Sequence, residues 1–305
     1  MLVENQLVSR ENILRMMIDE FGEESGSSSS FGSVNFLPMG EDSWSYRCGR
    51  YWVSVRRDLA GHFPAAYEGT LLLRESGKEF VLAPLRGRSG RIVHTVDGFP
   101  VVVFPYLARA ARGTANGTGI TAAQLDSLVR RLEEVHRSDL RLRLPVEDFR
   151  PPFEKGLEEV LAIAASGVGT GPMSQALHRL VSRRWDHLQE QLREFSVVAT
   201  SCADIWQRSP DHVLTHGDPS RANVLLTEDV LILDWGGLMW SPPERDWSAI
   251  SRHFGVPPRG RAEMLRFYEL RWNLGEIAEY VTRFVNPHTG DADDQAMWQR
   301  LVRYV

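Results

Sequence analysis

The residues whose types and spacing can support chemistry fall in one short stretch, His216-x-Asp218-x4-Asn223, followed after two apolar runs by Asp234-Trp-Gly236. Phosphoryl transfer needs a carboxylate to accept the proton of an attacking hydroxyl. It also needs an amide oxygen and a second carboxylate to hold a divalent cation against nucleotide phosphates. Asp218, Asn223 and Asp234 supply those groups if the chain brings them to one point. Residues 223–226 and 230–233 are mostly apolar, with β-branched Val224, Val230 and Ile232, and Thr227-Glu-Asp229 between them has turn composition, so the spacing predicts strand, tight turn, strand. Such a hairpin carries Asp218 and Asn223 to the start of one strand and Asp234 to the end of the other, the same end of a small sheet. The competing reading is an acidic hairpin loop in which Asn and Asp serve only as turn residues.

His216-Gly-Asp-x4-Asn223, Asp234-Trp-Gly236 and the later Pro243-Glu-Arg-Asp-Trp247 resemble the aminoglycoside phosphotransferase family, and within it the spectinomycin-phosphotransferase-like small-molecule kinases. The resemblance implies an α+β, protein-kinase-like fold in two lobes. Residues 1–106 would form a nucleotide-binding lobe, a small antiparallel β-sheet with one main helix. Residues 107–305 would form a larger, mainly helical lobe for catalysis and acceptor binding. By the same resemblance Asp218 is the catalytic base, Asn223 and Asp234 are the Mg²⁺ ligands, ATP or GTP is the co-substrate, and His216 packs and orients the loop. Asp246 is implied to brace that loop from behind, with helix capping as the other reading; it also stands among the acceptor-side candidates.

The elements that must position these groups follow from periodicity. Residues 10–21 carry Ile13, Leu14, Met16, Met17 and Phe21 at helical spacing, and residues 24–30 read as a flexible connector. Residues 34–37, 43–48 and 51–56 read as three antiparallel strands, with a turn at 38–43 that holds Gly40. In the kinase-like reading that turn covers the triphosphate with its backbone, helped by the Ser43 and Ser45 hydroxyls; an ordinary hairpin turn is the alternative. Arg56 takes the place of the strand lysine that touches the α- and β-phosphates, with Arg57 as competitor on the opposite face. Glu68, in a helix over 64–76, falls where that fold pairs a carboxylate with the basic strand residue, although a solvated helical glutamate would look the same. Residues 81–85, 91–96 and 99–106 supply two or three further strands. Phe104 and Tyr106 are candidates for adenine contact through their backbone, or else for hinge packing.

The remainder reads as helical, over 121–137, 153–165, within 174–206, from 244, over 262–284 and in the tail, with a loop at 113–119. Glu269, Trp272 and Glu276 lie along one side of the 262–284 helix, a face suited to a cationic, hydroxylated ligand or simply to solvent. Only five residues separate Gly236 from Pro242, which leaves no room for a peptide-docking activation segment, so the acceptor is expected to be a small hydroxylated molecule. His136 reads as a core or capping histidine.

Composition narrows the classes. A chain of 305 residues, 43% hydrophobic, can bury a good core, and a net charge of −5 argues against nucleic acid and anionic membranes as partners. The first twenty residues mix charges as no signal peptide does, and no apolar run spans a bilayer. Cys48 and Cys202 read as reduced thiols of a cytoplasmic protein. Three functions compete: an O-phosphotransferase acting on an aminoglycoside or aminocyclitol antibiotic, a kinase of the same fold for choline, a methylthio-sugar or a fructosamine, and a nucleotide-binding pseudokinase.

Overall fold

The computed structural model describes residues 1–22, 31–107, 111–112, 120–208, 211–226 and 230–305. The expected connector at 24–30, the loop at 113–119 and the hairpin turn at 227–229 lie outside the described residues. The helices are α1 (Arg10–Phe21), α2 (Pro64–Glu75), α3 (Ala122–His136), α4 (Leu157–Ser166), α5 (Ser174–Arg208), α6 (Glu244–Phe254), α7 (Ala262–Val285) and α8 (Ala292–Tyr304). None of the described helices is long and apolar enough to cross a membrane. Two compact units result, residues 1–146 with 213–256 and residues 147–212 with 257–305.

In the first unit β1 (Val34–Leu37), β2 (Ser43–Cys48), β3 (Tyr51–Arg56), β4 (Val93–Val96) and β5 (Phe99–Pro105) form an antiparallel sheet of order β1-β2-β3-β5-β4. Alternation sorts its faces. Tyr46, Cys48, Val53, Val55, Val101 and Val103 pack with Ile13 and Met17 of α1. On the other face Val102, Phe104 and Trp52 join Tyr67, Leu225 and Leu233. Beside that apolar floor runs a buried polar strip, Ser43 opposite Arg56 and Ser45 opposite Ser54.

Residues 81–85 do not join the sheet as a strand. Pro84 has no N–H to give a ladder, and the segment instead ties the hairpin to the sheet. Leu82 N–H donates to the Ile232 carbonyl at 2.9 Å and Leu85 N–H to that of Val103 at 2.7 Å. β6 (Ala111–Arg112), β8 (Val224–Leu226) and β9 (Val230–Ile232) form the second sheet, and β7 (Val213–Thr215) pairs with β10 (Met239–Ser241), a strand the sequence does not announce. A Thr121–Gln124 capping box opens α3.

The second unit is helical. α4, α5, α7 and α8 close over Leu161, Leu177, Leu188, Phe195, Phe267 and Leu274. Residues 153–165 and 174–206, expected to give two or three helices together, give two, and the second stretch is the single 35-residue α5, because no glycine or proline interrupts it. Conversely, the helix expected over 153–165 starts late: Pro152–Lys155 is a 3-10 turn and Gly156 separates it from α4.

Candidate active site

β7 delivers the chain to His216 and β8 resumes at Val224, so residues 216–223 form the loop between them. Gly217 turns it at φ +97°, and a Cβ there would lie 2.1 Å from the Arg245 guanidinium, so only glycine fits. Asp246, fully buried in the first turn of α6, gathers three donors. Its Oδ2 accepts from His216 N–H (3.1 Å) and His136 Nε2 (2.8 Å), and its Oδ1 accepts from Gly217 N–H (2.7 Å). Burial alone would raise this carboxyl, but the hydrogen bonds and charge of His136, with His216 and the Gly217 N–H, hold it below the ordinary range. These three bonds hold the start of the loop and α3 against α6. His136, read from sequence as a core or capping histidine, is part of the same brace.

His216 ties the loop to the strand that leads to Asp234. Asp218 N–H donates to its Nδ1 (3.1 Å), so the ring proton is on Nε2, which donates to the Leu233 carbonyl at 2.6 Å. Burial depresses its pKa and keeps the ring neutral, edge-on to Trp235 at 4.5 Å. Asp218 Oδ2 accepts from Asn223 Nδ2 (2.9 Å) and Ser220 Oγ (3.3 Å), which fixes the plane of the carboxylate. Asn223 Nδ2 also donates to the Asp218 carbonyl, so Asn223 Oδ1 is the atom available to a cation. Leu233 N–H donates to the Asn223 carbonyl at 2.8 Å, which sets Asn223 beside the residue before Asp234. Asp234 itself holds φ +60°, ψ 54°, a left-handed conformation that costs a non-glycine residue roughly 1 kcal/mol or more. Both Asp218 and Asp234 keep 37% of their side chains exposed. An amide oxygen and a carboxylate are hard donors that suit Mg²⁺, which takes one or two protein ligands alongside phosphate and water.

On the sheet side Arg56, only 7% exposed, turns to Asp234, with Nη1 4.0 Å from its Oδ1. Arg57, the competitor, pairs with its neighbour Asp58 at 3.6 Å. Glu68 does not pair with Arg56. It forms a bidentate pair with Arg86 at 3.1 and 2.6 Å on the exposed side of α2, and Tyr67 is the α2 residue buried with the sheet. Gly40 makes its turn at φ +81°, and Ser43 and Ser45 lie buried on the Arg56 side of the sheet. The Tyr106 N–H, expected to be open to adenine, instead donates to the Arg50 carbonyl at 2.9 Å, and Arg47 covers its ring at 4.7 Å. Phe104 is paired with Trp52 in the β3–β5 ladder, its ring 5.1 Å away.

Sequence reasoning missed His253, whose Nε2 is 3.6 Å from Asp218 Oδ1. It lies two helical turns beyond Asp246 and so on the same face of α6, a signal the spacing did contain. Burial, then the charges of Arg252 and Arg221, push its pKa down to about 4. The three acceptor-side candidates on α7 belong to the second unit and have partners there. Glu269 pairs with Arg266 (2.9 Å), Trp272 Nε1 donates to Tyr304 Oη (3.1 Å), and Glu276 accepts from Tyr280 Oη (2.7 Å).

Two carboxylates and an amide hung on one hairpin, facing a basic residue at the end of an antiparallel sheet, are the arrangement of a kinase-like phosphotransferase. Residues 59–280 match the phosphotransferase enzyme family (APH), and the chain belongs to it; it is a small-molecule kinase. Protein StrN of Streptomyces griseus is 53% identical over 311 residues, which span 100% of this chain and 96% of that protein. The fold is shared with spectinomycin phosphotransferase, solved with ADP and spectinomycin, at a TM-score of 0.68 and 15% identity over 98% of this chain and 94% of that one. Choline kinase LicA from Streptococcus pneumoniae shares it at a TM-score of 0.55 and 14% identity over 96% and 98% of the two chains.

Proposed function

We propose that this chain transfers the γ-phosphoryl group of ATP or GTP to a hydroxyl of an aminoglycoside- or aminocyclitol-type molecule, in resistance or self-protection, in the cytoplasm. The observation that carries the reading is the convergence at one hairpin end. Asn223 is bonded to Asp218 through its side chain and to Leu233 through its backbone, and Asp234 faces a buried arginine. The Arg56 Nε is buried with no partner among the described residues, as a group awaiting an anionic ligand would be. The relative solved with ADP and spectinomycin supports the nucleotide and the acceptor class.

In this reading residues 1–106 hold the nucleotide, with Gly40, Ser43 and Ser45 covering its phosphates, and residues 107–305 carry the chemistry. The acceptor oxygen attacks the γ-phosphorus while its proton passes to Asp218. The bond from that phosphorus to the β,γ-bridging oxygen breaks, and its electron pair leaves with the nucleoside diphosphate. Arg56 offsets the charge that develops on the phosphoryl oxygens. Mg²⁺, held by Asn223 Oδ1 and Asp234, would neutralise the phosphates. The test is a panel of aminoglycosides, aminocyclitols and choline incubated with Mg-ATP or Mg-GTP. The expected product gains one phosphoryl group for each nucleoside diphosphate released. Transfer to choline alone would replace the acceptor class, and nucleotide binding without turnover on any acceptor would make the chain a pseudokinase.

A further inference from the structure

We propose that His62 and Tyr67 are positioning residues for Arg56, a neutral hydrogen-bonded relay that presents the guanidinium to nucleotide phosphate where a helix carboxylate was expected. This role rests on the reading above, in which Arg56 grips phosphate. Arginine only donates, so the 2.6 Å contact from Arg56 Nη2 to His62 Nε2 requires a lone pair on Nε2. The ring proton is then on Nδ1, which donates to Tyr67 Oη at 2.8 Å. Donation runs one way, from Arg56 through His62 to Tyr67, and the two rings stack at 5.9 Å with 28° between their planes.

The relay is fixed at both ends of a short connection. After β3 the chain turns at Gly61 (φ +72°), His62 N–H donates to the Leu59 carbonyl (3.0 Å), and Phe63 N–H donates to the Gly236 carbonyl (2.9 Å). The imidazole packs against Gly236, where a Cβ would fall 1.7 Å from His62 Nδ1. Glycine after Asp234-Trp is thus demanded by His62, and one ring both holds Arg56 and rests on the segment that carries Asp234. Asp234 Oδ1 stays 3.7 Å from His62 Nε2 and 4.0 Å from Arg56 Nη1, beyond hydrogen-bond reach of either.

A carboxylate partner would neutralise the guanidinium, and an arriving phosphate would have to compete with it. A neutral imidazole fixes the side chain with one charge-assisted hydrogen bond, while the carboxylates of Asp42 and Asp234 stand 4.0 Å from the guanidinium, beyond hydrogen-bond reach, so its positive charge is left for phosphate. Ordering the arginine before the nucleotide arrives also spares that entropy on binding.

The test is calorimetric titration of the full chain with Mg-ATP. His62→Ala should weaken affinity about tenfold, the worth of one hydrogen bond to a charged group. Tyr67→Phe should weaken it by a smaller factor. His62→Gln, whose amide oxygen accepts from Arg56, should restore most of the loss, and His62→Ala should add nothing in an Arg56→Ala background. If Arg56→Ala weakens binding while His62→Ala and Tyr67→Phe do not, the relay is overturned and the phosphate role of Arg56 stands. If Arg56→Ala has no effect, the phosphate role and the relay both fall. Equal weakening by His62→Ala with and without Arg56 also overturns the relay, since the ring would then act independently of the arginine. Tyr67→Phe keeps the packed ring and carries the test should His62→Ala fail to fold.

Discussion

Replacing Asp246 with Asn removes one charge and one acceptor from a site where three donors converge. The amide has a single oxygen. Placed at the Oδ2 position it keeps the His216 N–H and His136 contacts, but its NH₂ group then opposes the Gly217 N–H across 2.7 Å. The reverse orientation leaves two donors opposed instead of one. Two charge-assisted bonds weaken to neutral ones at about 1 kcal/mol each, and one buried donor goes unsatisfied at about 1–3 kcal/mol, so a loss of about 3–5 kcal/mol is expected. The folded carboxyl lies below its ordinary value, so the stability it contributes is present above the unfolded carboxyl pKa and is lost as pH falls through the folded one. The gap between wild type and Asp246→Asn should therefore be full at neutral pH and close on acidification. Urea unfolding at neutral and acid pH measures it, with turnover followed in parallel. A loss under about 1 kcal/mol, together with a selective rise in acceptor KM, would refute the brace and return Asp246 to the acceptor site.

Asp218→Ala should cost on the order of 10²-fold or more in turnover with Mg-ATP affinity retained, and near-normal kcat would remove Asp218 as the base. Asp234→Ala should abolish the magnesium-dependent part of nucleotide affinity; an unchanged calorimetric Kd for Mg-ATP would exclude Asp234 as a ligand. His253 has a folded pKa of about 4 against 6.5 unfolded, so it takes up a proton on unfolding and weakens the fold as pH drops through that window. His253→Asn should flatten the fall in urea midpoint between about pH 7 and about pH 5, and an unchanged slope would mean the ring is already charged in the folded protein.

Local order was legible in the sequence and its depth was not. Residues 10–21, 34–37, 43–48 and 51–56 became α1 and β1 to β3 with the expected bounds, because helical and two-residue periods stand beside clear breakers. β10 has three residues next to a proline pair, too few for a period to emerge. Periodicity also fixes faces only relative to one another: Tyr67 and Glu68 are adjacent in α2, and only packing against Leu82, Phe104 and Leu233 decides which one turns inward. The proximity of Asp218, Asn223 and Asp234 was readable because hairpin geometry converts spacing along the chain into nearness in space. His136 lies 110 residues from Asp246, and no period connects them.

Burial divides the labour of the site. The groups that orient the loop, His216 and Asp246, are withdrawn from water, so their hydrogen bonds come from the protein: for the imidazole one donor and one carbonyl, for the carboxylate three donors. Asp218 and Asp234 keep over a third of their side chains exposed, which suits the proton acceptor and the cation ligand proposed for them. Strain follows the same division. The left-handed backbone at Asp234 is borne by a residue whose carboxylate must point away from its strand, while at Gly217 glycine carries φ +97° without strain and lets Arg245 close over the loop. A loop held this way enters the reaction already ordered, so binding energy from the substrates is not spent on arranging it.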